Sequence, residues 1–221
     1  IGVRLVGSEM CIRDRNKGFI MSIVTLNDRG VRSVSAFGSL NTGSMIFISK
    51  VTASSSATID FTSGIDSTYK EYLFTFKNIH PATDNVSFQF QADTGTNTNY
   101  NQTITSTFFR ALHTEDDSTG AEVGYQTALD LAQSTGFQTF AANIGNDNDQ
   151  HVSGTLHLFN PSSTTFVKHF KGRNNDSVYI DGSADIFLAG YFNTTSAITR
   201  VRFKMSSGNI DAGDICLYGI L

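Results

Sequence analysis

With 221 residues, only 16% of them charged, and a net charge of −4, the chain suffices for one large β domain or two small ones and lacks the basic block that a nucleic-acid partner requires. No apolar run approaches the roughly 18 residues of a membrane-spanning helix, and the two cysteines, Cys11 and Cys216, are too few for a disulfide-stapled scaffold. Abundant Ser, Thr and Asn, eighteen Phe, two Pro and no Trp favour strands and turns over long helices, so an all-β fold is expected.

Residues 1–20, IGVRLVGSEMCIRDRNKGFI, share no compositional character with the rest. The string VGSEMCIRDR resembles translated adaptor sequence, and no signal-peptide pattern fits, so 1–20 is expected to be a non-native leader. It carries Arg4, Arg13, Arg15 and Lys17 against Glu9 and Asp14, a net +2, which leaves −4 − (+2) = −6 on the remainder. Residues 21–44 scatter Ile23, Val24, Leu26, Val31, Val34 and Phe37 around a turn at Asn27–Gly30. That spacing suits an N-terminal arm that orders against a neighbour, although an ordinary flexible leader is the commoner source of such a pattern.

Regular β patterning begins at Met45 and is expected to continue to Leu221 as one domain. MIFISKV reads as a strand, then Ala57–Phe61, then Glu71–Ile79, in which Tyr72, Phe74 and Phe76 alternate with Leu73, Thr75 and Lys77. Val86–Ala92 is the cleanest alternation, with Val86, Phe88 and Phe90 facing in and Ser87, Gln89 and Gln91 facing out. After the polar loop 93–101, Thr103–Leu112 is a strand, Thr114–Gly124 an acidic loop, and Tyr125–Ser134 the one helical candidate. Phe137–Ile144, His151–Phe159, Thr165–Lys171 and a brief Val178–Ile180 continue the strands. The end of the chain reads as three more: Phe187, Ala189 and Tyr191 share one face, Ile198, Val201, Phe203 and Met205 alternate, and Ile215–Ile220 is apolar on both faces. A strand apolar on both faces belongs inside a sheet system covered on both sides. About a dozen strands with polar turns predict a two-sheet antiparallel β-sandwich, jelly-roll-like in size.

Few residues suggest chemistry. His157 and His169 fall on successive strands, but no H-x-H or H-E-x-x-H spacing accompanies them, so a hydrogen-bonded strand histidine is expected and no metal. Gly145–Asp149 resembles half a calcium loop and lacks the sixth-position glycine and twelfth-position acid. Glu115, Asp116 and Asp117 form a carboxylate cluster of the kind glycoside hydrolysis uses, without an aromatic shelf beside it; a solvated charge run is expected. There is no G-x-S-x-G and no glycine-rich phosphate loop after a strand. The N-x-S/T matches at Asn85, Asn101, Asn175 and Asn193 are expected by chance in such a composition. No catalytic residue and no cofactor is assigned.

The stretches FTSGIDSTYKEYLFTFKNIHPATD, NYNQTITSTFFRA, LAQSTGFQ, LFNPSSTTFVKHF and LAGYFNTTSAITRVRFKMSSGNI…LYGI resemble a group of structural proteins of tailed phages, many marine, of head- or tail-attached fibre and decoration type. The likeness spans about residues 44–221. It implies a virion component of β-sandwich type, oligomeric and assembled in the bacterial cytoplasm; with the composition, the expectation is a non-enzymatic homo-oligomer held by other virion proteins, with no nucleic-acid partner and no membrane insertion. The rival expectation is a carbohydrate-binding adhesin that grips host surface glycan. Sugar sites present exposed aromatics, and Tyr100, Tyr125 and Tyr179 are the loop tyrosines available for that role.

Overall fold

The computed structural model describes residues 44–117 and 121–221. The leader 1–20 and the arm residues Ile23, Val24, Leu26, Val31, Val34 and Phe37 lie outside the described residues. Strands make up 59% of the structure, and there is no helix among the described residues. Twelve strands follow one another: β1 (Met45–Thr52), β2 (Ile59–Phe61), β3 (Glu71–Pro81), β4 (Val86–Thr94), β5 (Ile104–Thr114), β6 (Glu122–Tyr125), β7 (Gln138–Ile144), β8 (Val152–Phe159), β9 (Lys168–Val178), β10 (Gly182–Phe192), β11 (Ile198–Met205) and β12 (Ile210–Ile220).

Every pairing is antiparallel. One run is ordered β1-β12-β3-β8-β9-β10-β5-β6, the other β2-β11-β4-β7. A single residue pair, Ile144 with Val178, joins them, so the sheet is nearly barrel-shaped. The strand apolar on both faces, β12, lies between β1 and β3, with Ile215, Cys216 and Leu217 all buried in succession.

The two runs meet through phenylalanines. Phe76 of β3 touches Phe88 of β4, Phe140 of β7 and Phe203 of β11 at ring-centre distances of 5.4, 4.7 and 5.2 Å. Phe74 joins them through Phe203 and Phe61, each at 5.2 Å. These are mostly edge-to-face contacts, the arrangement the ring quadrupole favours. Each fully buried ring contributes roughly 1.5–3 kcal/mol, which is why a chain without Trp can still close a large core.

The structure departs from the sequence expectation in four places. The segment 125–134 is not a helix: Tyr125 ends β6, and residues 126–136 form a strap tied down by buried polar side chains. Ser106 Oγ donates to Gln138 Oε1 (2.5 Å) and accepts from the Leu131 amide (2.9 Å), while Gln138 Nε2 donates to the carbonyls of Leu129 and Thr139. Gln91, expected to face out, is fully buried; it donates to the Gln102 carbonyl and to those of Thr135 and Gly136 at the far end of the strap. These bonds replace the i→i−4 ladder that a helix would have supplied.

The third departure is β9, which runs unbroken to Val178 through the polar string KGRNNDS. It pairs in register with β8 on one side and β10 on the other, so its backbone is satisfied whatever its side chains are. Its inward positions include Asn174, which donates to the Phe140 carbonyl, and Asp176. The fourth is β6, a short edge strand in what reads as an acidic loop.

Candidate binding face

Strand pairing brings four side chains into one line across the outer surface of β9, β10, β5 and β6. Arg173 is paired with Phe187, Phe187 with Phe109, and Phe109 with Tyr125. Because side chains alternate along a strand, partners in register share a face, and their inward neighbours Gly172, Ile186, Leu188 and Phe108 are buried. The row itself faces solvent: Phe187 is 44% exposed, Phe109 49% and Tyr125 41%. The Arg173 guanidinium lies 4.5 Å from the centre of the Phe187 ring, and the rings of Phe109 and Tyr125 meet edge-on at 5.1 Å. Tyr125 is further held by a hydrogen bond from its hydroxyl to Asp130.

Polar groups flank the row. Arg173 makes a two-pronged pair with Asp185, at 3.1 Å from Nε and 2.8 Å from Nη2, and this carboxylate raises the pKa of the guanidinium. Beside the pair, Ser153, Thr155 and Asn175 complete a 370 Å³ hollow. On the other side come Lys171, Ala189 and Thr107, in register with one another. Beyond them a 270 Å³ groove is lined by Thr105, His169, Gly190 and Tyr191, and the His169 and Tyr191 rings are 5.8 Å apart. Gly190 is required there, since a Cβ would come within 2.6 Å of both the Phe170 ring and the Thr105 carbonyl.

Of the three expected sugar-stacking tyrosines, only Tyr125 belongs to this row. Tyr179 occupies the tip of the β9–β10 hairpin, 43% exposed and apart from the row. Tyr100 corrects the expectation: it is 2% exposed, with the Arg202 guanidinium 4.0 Å over its ring, and so offers no surface to a ligand. Its burial follows from two anchors. Asp93, itself fully buried, accepts the Tyr100 amide at 2.8 Å, and Asp60 holds Arg202 in place with bonds of 2.7 and 2.6 Å. Burial, and then the Asp60 charge, raise the Tyr100 pKa.

The remaining sequence candidates are dispersed. His157 bonds Glu71 at 2.5 Å and stacks on Phe159, while His169 is paired across β10 with Tyr191. Each ring is thus engaged by partners other than the second histidine. The loop 145–150 is closed by Gln150, whose side chain accepts from the Asp147 amide and donates to the Val178 carbonyl and Asp181. Its Asn148 and Asp149 line a 570 Å³ cleft with Asn78, His80, His151 and Asp211. Among the described residues, no three His, Cys, Asp or Glu side chains are grouped to hold a metal ion. Glu115, Asp116 and Asp117 are exposed at the end of β5, where Asp117 lies 3.3 Å from His113.

Sequence reasoning missed Phe109 and Phe187 as site residues. The signal was present in their outward register, but alternation alone does not say which of Phe108 and Phe109 faces the core. Comparison with known proteins adds nothing to the geometry: no family model, no curated protein and no solved structure matches this chain.

Proposed function

We propose that this chain is a non-enzymatic structural protein of a tailed-phage particle, a decoration, fibre or tail-associated component that displays a two-sheet, jelly-roll-like β-sandwich. The class rests on the sequence resemblance. The sandwich reading is supported by Phe76, whose ring reaches from one strand run to three strands of the other. The observation that carries the functional reading is the outward row Phe187–Phe109–Tyr125 on a framework whose buried polar side chains largely brace the fold itself. A rigid scaffold with exposed rings suits attachment and recognition. On this reading the protein belongs to the virion, as a homo-oligomer among other virion proteins, and residues 21–44 are the arm that docks it.

The test is incorporation. Purified particles should contain the full-length chain, and a chain lacking residues 21–44 should fold yet be missing from them. Particles devoid of the full-length protein would overturn the structural role, and normal incorporation of the shortened chain would overturn the arm. A second reading, a carbohydrate-binding adhesin or receptor-binding module, is favoured by one observation: Tyr125 stands in line with two further exposed rings.

A further inference from the structure

We infer that the row Phe187–Phe109–Tyr125 is the stacking platform for an extended, uncharged polysaccharide that lies across the strands, its polar edge held at the Arg173–Asp185 end. This rests on the carbohydrate-binding reading and names its ligand class and site.

Three features point to that occupant. The first is spacing. Neighbouring strands are about 4.8 Å apart, so rings on three successive strands follow one another in a line, with Tyr125 turned edge-on to Phe109, and repeating units of one chain can lie along it. Along each strand the neighbours on the same face are small or short, Thr107 and Ala111 beside Phe109, Asp185 and Ala189 beside Phe187. The Arg173 guanidinium lies over one part of Phe187 and the Tyr125 ring meets Phe109 edge-on, yet both phenylalanines keep nearly half their surface open, enough for the apolar face of a pyranose.

The second is the distribution of polar groups. A sugar ring offers apolar faces and a rim of hydroxyls, so its site must offer rings and planar hydrogen-bonding groups side by side. The guanidinium and carboxylate of Arg173 and Asp185, held rigid by their mutual bonds, sit at the end of the row with Ser153, Thr155 and Asn175 around them. Locked side chains lose little entropy when a ligand arrives. The two charges cancel, and Lys171 and Asp130 bring one further charge of each sign to the borders of the row, so an anionic sugar would gain no net attraction and a neutral glycan fits best.

The third is area. Three rings a little under half exposed present roughly 300 Å² of aromatic surface, taking about 200 Å² per whole ring. A stable protein interface needs about 800 Å² from each partner. A strip one residue wide with polar borders therefore suits a linear chain better than a folded partner.

The experiment uses the full chain in affinity electrophoresis and titration calorimetry against a soluble β-glucan, a soluble mannan and alginate. Retardation by a neutral polysaccharide is expected, unaffected by about 0.5 M salt, because screening acts only on charges. Phe109→Ala and Phe187→Ala should each weaken it about tenfold, as loss of a central aromatic anchor does, with an unchanged melting temperature showing the fold intact. Arg173→Lys, which keeps the charge and removes the fork, should also weaken it. Salt-sensitive retardation by alginate alone would overturn the neutral ligand while leaving a carbohydrate-binding module in place. No retardation by any of the three, or retardation that survives both ring variants, would overturn the platform. None of these outcomes bears on the presence of the protein in particles, which incorporation tests separately.

Discussion

Asp176 is the residue under greatest electrostatic tension. It is buried, neither carboxyl oxygen has a hydrogen-bond partner, and burial raises its pKa from 3.8 to about 7. Arg110 and, more weakly, the Ala142 amide favour the ionised form, but neither reaches hydrogen-bond geometry. Between about pH 4 and pH 7 the folded protein therefore holds a proton that the unfolded chain releases. Stability falls as pH rises through that window, and the Asp176 penalty is fully present above it. At about 1.4 kcal/mol per pH unit the full penalty is on the order of 4 kcal/mol. Asp176→Asn keeps the shape without the charge, so it should raise the melting temperature at pH 8 much more than at pH 4.5; a variant whose profile runs parallel to the wild type at both pH values would disprove the assignment. At the same scale, the Tyr100 hydroxyl is buried without a partner, so Tyr100→Phe should leave stability unchanged or slightly improved in urea titrations.

Among the elements, β12 shows how far the sequence can be read. Its two-sided apolar run predicts an interior strand, and it lies between β1 and β3 because Ile215, Cys216 and Leu217 leave no face for water. Leu217 is fully buried, so Leu217→Asp would lose roughly 2–3 kcal/mol of apolar burial and strand an unpaired charge. That variant is expected to yield no soluble folded protein; β-rich circular dichroism from soluble L217D would refute the placement. Gly213 marks the bulge in the same strand, with φ of +118° and only 2.5 Å from a notional Cβ to the Asn78 carbonyl. Gly213→Ala should therefore cost on the order of 1–3 kcal/mol in urea unfolding. Where polar residues form strands the pattern goes silent. KGRNNDS in β9 alternates, but with Asn and Asp on the buried side, and only its two in-register neighbours make a strand of it. The strap 126–136 misleads in the opposite way, because the side chains that hold it, Gln91, Ser106 and Gln138, are distant from one another in sequence. The exposed aromatic row is illegible for the same reason: it is a register property, assembled from four strands none of which carries a motif.

For the whole molecule, the capacity to associate lies at the unpaired edges. Among the described residues, β1, β2 and β6 each pair on one side only. β1 carries Phe47, 58% exposed and edge-on to Tyr218, and β6 carries Val123, 86% exposed. Unpaired edges bearing apolar side chains are the places where a second copy adds a strand. The proposed homo-oligomer is therefore expected to form through β1, and Phe47→Lys should shift the mass measured by light scattering from oligomer to monomer without lowering the melting temperature of the single domain. An unchanged oligomer would move the contact elsewhere.

The single residue pair that joins the two strand runs has a kinetic meaning. Beside Ile144 and Val178, the line between β7 and β9 is crossed by the backbone bonds from the Gly145 amide to Ser177 and from the Tyr179 amide to Asn143, and by the Asn174 side chain bonding the Phe140 carbonyl. The other boundaries between neighbouring strands run for most of their length. A strand boundary held over so short a length should breathe before the long ones, so the amides of Gly145 and Tyr179 are expected to take up deuterium well before those of β3 and β12. The fold then has a built-in order of opening, starting where β7 leaves β9 and reaching the phenylalanine core last.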